Sequence, residues 1–145
     1  MKKEFVTYEI ALELKELGFD EPCLAFFEIN NTHQPQNLRY FLKTAVNREY
    51  IENTKILKYI YGENSLLAPL YQQAFRWFRE KFGLSYEIHL KMSNNKRKIW
   101  YNINELDNRL IKSMYFKSYP KGMFKTYEEA ELDCLNKLIE LCKKI

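Results

Sequence analysis

Two stretches of strict two-residue alternation, separated by five polar residues, constrain this chain more than any other feature. Over residues 86–92, Tyr86, Ile88, Leu90 and Met92 alternate with Glu87, His89 and Lys91. Over residues 98–103, Ile99, Tyr101 and Ile103 fall on one face. A period of two sends successive side chains to opposite faces of a strand. The intervening Ser93-Asn94-Asn95-Lys96-Arg97 reads as the basic tip of a β-hairpin. Such a hairpin has one apolar face. Two strands alone are marginal in water, so other elements must cover that face.

Helices supply the cover. Thr7 caps a first helix, with Val6 stapled onto it and Ile10, Ala11, Leu14 and Leu17 on one face; Gly18 takes the C-terminal cap. Residues 66–82 read as a second helix, with Pro69 in its first turn, where a missing N–H loses nothing. Leu70, Tyr71, Ala74, Phe75, Phe78 and Phe82 share an arc of about 140°, Trp77 stands at its border and Gly83 ends it. A third helix opens on the capping box Thr126-Tyr127-Glu128-Glu129. Its apolar face runs through Ala130, Cys134, Leu135, Leu138, Leu141, Cys142 and Ile145, and Lys143 and Lys144 complement the dipole at its end.

The remaining elements are shorter. Residues 24–29, LAFFEI, read as a buried strand, and residues 110–116 as another. Residues 38–44 and 55–61 are weaker strand candidates, and residues 49–61 also carry rough helical spacing. Residues 30–37, NNTHQPQN, read as a surface loop. The first and last helices open alike, Phe5-x-Thr7-Tyr8-Glu9-x-Ala11 against Phe124-x-Thr126-Tyr127-Glu128-x-Ala130. Capping chemistry accounts for the likeness, since nothing else repeats. The 145 residues fit one core, and 10 Phe, 11 Tyr and 2 Trp fill it from few positions. The expected fold is α+β: a single domain over residues 1–145, with a small antiparallel sheet packed against N-terminal, central and C-terminal helices.

Catalytic patterns are scarce. No Gly-rich phosphate loop or dinucleotide fingerprint occurs among only 4 Gly. His33 lies in the polar loop, and His89 sits on a strand without a Ser or Cys at triad spacing. Glu87 and His89 could form an acid–base pair, though solvated strand neighbours are the commoner outcome. Cys23, Cys134 and Cys142 lack metal-ligand spacing and read as small core hydrophobes. No catalytic residue, metal or cofactor is therefore expected. No apolar run approaches the ~20 residues of a membrane span. Met1-Lys2-Lys3-Glu4 has no apolar segment behind it, and the odd Cys count argues against a disulfide framework, so a reducing cytoplasm is expected.

Charge is unevenly laid out. Residues 1–30 hold 3 Lys and Arg against 7 Asp and Glu, a net of −4. Residues 31–125 hold 17 against 7, a net of +10, and residues 126–145 hold 3 against 5, a net of −2. A basic middle of this kind tracks nucleic acid or an acidic protein surface, if it is not simply solvated. The candidate partner-binding residues are Lys91, Lys96, Arg97, Lys98, Trp100, Arg109, Lys112, Lys117, Tyr119 and Lys121. Tyr115, Phe116 and Phe124 are interleaved with them, as base stacking beside phosphate contacts requires. Trp100 alternates against Ile99 and Tyr101, so it faces away from the main core as a candidate interface anchor.

Three segments carry a resemblance: Lys15-Glu16-Leu17-Gly18-Phe19-Asp20-Glu21-Pro22-Cys23, residues 68–83 (APLYQQAFRWFREKFG) and Lys125-Thr126-Tyr127-Glu128-Glu129-Ala130-Glu131-Leu132. Together they resemble a family of small proteins carried by phages and mobile elements of gut- and animal-associated Bacteroidota. Residues 30–61 lie outside the resemblance, and it carries over no catalytic residue. It implies a non-enzymatic accessory protein in the cytoplasm of an infected host, acting by stoichiometric binding. Its most specific form is an anti-CRISPR-type inhibitor of an RNA-guided host defence nuclease or of its guide-RNA complex. The alternative is a small RNA- or single-stranded-DNA-binding protein. Many such inhibitors are acidic mimics of nucleic acid; the basic middle departs from that pattern.

Overall fold

A computed structural model describes residues 4–28, 38–40, 65–93, 96–106, 111–117 and 124–144. The fold is α+β. In chain order the elements are α1 (Tyr8–Glu16), β1 (Ala25–Glu28), β2 (Leu38–Tyr40), β3 (Ser65–Ala68), α2 (Tyr71–Phe82), β4 (Leu84–Ser93), β5 (Lys96–Leu106), β6 (Ile111–Lys117) and α3 (Tyr127–Cys142). The strands form two antiparallel sheets, ordered β2-β1-β3 and β4-β5-β6. The chain divides into two compact units, Met1–Ala74 and Phe75–Ile145, with the boundary inside α2. The expected loop at 30–37, the strand candidate at 55–61 and the helical spacing of 49–61 lie outside the described residues.

In the first unit β1 is the central strand, and Ala25, Phe26 and Phe27 are buried on it. Ala25 pairs with Ala68 and Tyr40, so the ladder runs on both sides of β1. Helix α1 packs on β3. The Thr7 Oγ1 accepts from the Ile10 N–H at 3.4 Å, which satisfies one orphan donor of the first turn. Ile10, Ala11 and Leu14 are buried, as their spacing requires. Gly18 follows at φ 83, a left-handed conformation that a side chain would resist.

Residues 66–82 are not one helix. Residues 66–68 belong to β3, Pro69 is buried between elements, and α2 starts at Tyr71. Two causes act together. The residue before a proline is pushed to extended backbone, which holds Ala68 in a strand. The Val6 N–H then donates to the Pro69 carbonyl at 3.0 Å, and Phe5 bridges Leu70, which keeps this stretch extended for one more pair.

In the second unit α3 lies on β4 and β5. Its buried side chains, Ala130, Cys134, Leu135, Leu138, Ile139 and Cys142, include most of the expected face. The capping box forms with one variation. Thr126 Oγ1 accepts from the Glu129 N–H at 3.1 Å, but the Glu129 carboxylate accepts from the Lys125 N–H at 2.9 Å. Tyr101 is fully buried, donates to Asp133 Oδ2 at 2.6 Å and stacks on Phe124 at 5.9 Å. Gly83 at φ 65 turns the chain from α2 into β4 and accepts from the Leu106 N–H at 2.6 Å. Among the described residues no helix is long and apolar enough to cross a membrane.

All three cysteines are free and buried. Desolvation, with a smaller push from the Glu21 carboxylate, raises the Cys23 thiol to about 12. Desolvation raises Cys142 to about 11 and Cys134 further, the latter helped by Asp133 and Glu131. The reactive thiolate is therefore scarce at pH 8 in the folded chain. Ellman titration at that pH should find the native thiols slow. In denaturant without reductant it should count all three, and a count of one would reveal a disulfide.

Candidate functional site

The hairpin is longer and tighter than its alternation shows. Pairing runs unbroken from Leu84↔Glu105 to Ser93↔Lys96. Only residues 94 and 95 connect the strands, so Lys96, Arg97 and Lys98 are residues of β5 and not of a loop tip. The physical reason is that a two-residue connection is the commonest hairpin closure, and its flanking residues complete the ladder. Strand membership gives these cations fixed places. Met92 opposes Arg97, while Lys91 opposes Lys98, one step along and on the other face.

Two faces result. One carries Ile99, Tyr101 and Ile103 under α3. It does not end where its cover ends: Leu90 is 55% exposed and Met92 60% exposed. Alternation alone places both in the core, but the buried part of the face centres on Tyr101, two to three steps back from the turn.

The outward face carries three successive cross-strand pairs, Lys91↔Lys98, His89↔Trp100 and Glu87↔Asn102. Same-face pairs repeat every two residues, about 7 Å apart. Trp100 does face away from the α3-covered side, as its alternation predicts, and it is half-buried because the His89 ring stacks on it at 5.0 Å and 19°. The His89 Nε2 lies 3.3 Å from Glu87 Oε2 and 3.1 Å from the Asn102 amide. With the proton on Nε2 the imidazole donates to Glu87, and Asn102 then serves it best by presenting its amide oxygen. A half-turn of that amide also gives a partner to Asn102 Oδ1, which is otherwise buried without one among the described residues.

Lys91 and Lys98 are exposed, and neither makes an ion pair with a described residue. Like charges directly opposite each other weaken a sheet. An anion bound between them reverses that sign. Arg97 is also exposed. The other expected residues are not gathered here. Lys112 pairs with Glu105 and Lys117 with Tyr101, register partners of the α3-side set and not of the Trp100 set. Arg109, Tyr119 and Lys121 lie outside the described residues. Asn102 is the residue that sequence reading passed over. Its parity with Trp100 and Lys98 is the signal that finds it.

No protein-family model, curated protein or solved structure matches this chain. The chemistry of the face must therefore be read from its own residues. It offers cations for phosphate or carboxylate, a stacked pair of rings, and a carboxylate held by an imidazole.

Proposed function

We propose that this protein acts by stoichiometric binding, and that the outward face of β4 and β5 engages single-stranded RNA. The observation that carries the reading is the Trp100–His89 ring pair one step from the unpaired cations Lys91 and Lys98. Non-duplex nucleic acid is held by this combination: bases stack on aromatic rings, each worth about 1–3 kcal/mol by alanine substitution, and cations follow the phosphates. The net +10 of residues 31–125 adds a long-range attraction. In the phage setting that the resemblance implies, the RNA is the guide of a host defence nuclease, and the protein inhibits by competing for its phosphates.

Titration with a labelled RNA oligonucleotide tests this. RNA should quench Trp100 fluorescence, while Trp77, only 4% exposed, supplies a constant background. Trp100→Ala should weaken binding by roughly tenfold, within the stacking range above. Undiminished affinity would remove the ring pair from the interface.

Leu90 and Met92 favour a second reading, in which the hairpin end docks on the nuclease protein itself. Exposed apolar side chains beside cations are interface material, and Met adapts its shape to a partner. Affinity capture from a host extract with and without ribonuclease separates the two. Loss of every partner after ribonuclease favours RNA; a surviving nuclease favours direct docking.

A further inference from the structure

The three pairs of the outward face differ in chemistry in a fixed order, and we propose that the order selects guanine. The inference rests on the RNA-binding reading and names the base that the same face prefers. From the hairpin end inward, the pairs are cationic (Lys91↔Lys98), aromatic (His89↔Trp100) and hydrogen-bonding (Glu87↔Asn102). A nucleotide has the same order: phosphate, stacked ring, base edge. With the phosphate between the two lysines and the base on the Trp100–His89 rings, the Watson–Crick edge meets Glu87.

Glu87 is placed to read that edge. Its side chain is 57% exposed, and the His89 contact at 3.3 Å involves one carboxylate oxygen. An ionised carboxylate only accepts, and its two oxygens have about four lone-pair sites, so most of its capacity stays open. Guanine alone among the four bases presents two adjacent donors on its Watson–Crick edge, N1–H and the N2 amino group. Adenine and cytosine set a lone pair beside their amino group, and uracil flanks its single N–H with two carbonyls. Each of those would point an acceptor at the carboxylate. His89 is a positioning residue in this scheme, since it holds Glu87 beside the rings and touches the base by stacking alone.

Fluorescence anisotropy with three labelled RNA pentamers provides the test: all-uridine, uridine with a central guanosine, and uridine with a central adenosine. The guanosine pentamer should bind roughly tenfold tighter than the adenosine one, the factor expected of a good two-bond contact to one base. In Glu87→Gln the ratio should fall toward one, with an unchanged melting temperature as the check on folding. Equal affinity of wild type for guanosine and adenosine overturns guanine selection and leaves RNA binding in place. Failure to bind any pentamer overturns both. Competition by GMP as effective as by the guanosine pentamer overturns the strand and makes this a site for free nucleotides.

Discussion

Phe78→Ala should destabilise the protein by about 3–5 kcal/mol, the range for truncating a fully buried Phe. Phe78 has no exposed surface and lies midway along α2. Its ring meets Trp77 at 5.1 Å and Phe82 at 5.9 Å, and Trp77 meets Phe82 at 5.2 Å, so three rings share one cluster. Removing the central ring forfeits its transfer free energy and leaves a void that two rigid neighbours cannot close. A small domain loses about 4–8 °C of melting temperature per kcal/mol, so the fall should exceed 10 °C. Phe78→Leu keeps most of the volume and should lie between the two. A Phe78→Ala variant melting within 2 °C of wild type would contradict the cluster.

Where periodicity and local chemistry agree, the sequence announces its structure. Thr7 and Thr126 cap α1 and α3, because capping is decided within four residues and needs no distant partner. The alternation over 86–92 and 98–103 is strand because no other backbone buries such a pattern on one side. The start of α2 is different. Residues 66–70 fit a helical wheel, and what draws them into strand and bridge is pairing with residues 25–28 and with Phe5 and Val6, over 40 positions away in the chain. Nothing within residues 66–82 records that pairing, except that Ala68 precedes a proline. The division of the strands into two sheets is likewise decided by long-range partner choice. The candidate face is mixed in the same way. Its parity was legible, so Trp100 was placed correctly, but the pairing of Lys91 with Lys98 depends on where the two-residue turn falls. A shift of one position would set different residues opposite each other.

That register gives the second large effect a definite sign. Reversing charge at Lys96, Arg97 and Lys98 together, each to Glu, should abolish RNA binding at low salt, with a loss above a hundredfold. The melting temperature should hold steady or rise slightly. Exposed substitutions of this kind shift stability by about 0.5 kcal/mol or less. Lys98→Glu also converts the like-charge pair with Lys91 into an opposite-charge pair, favourable by about 0.2–1 kcal/mol. Binding moves the other way, since three phosphate contacts become repulsions and the long-range attraction weakens. Each lost contact to a single strand should flatten the plot of log affinity against log salt by about 0.7, so three flatten it by about 2. Loss of binding without loss of folding would separate the working surface from the core that holds it. If instead the triple variant binds RNA as wild type does, the Lys91–Lys98 pair is only a solvated stretch of sheet. The exposed Leu90 and Met92 on the opposite face would then be the stronger ground for an interface with protein.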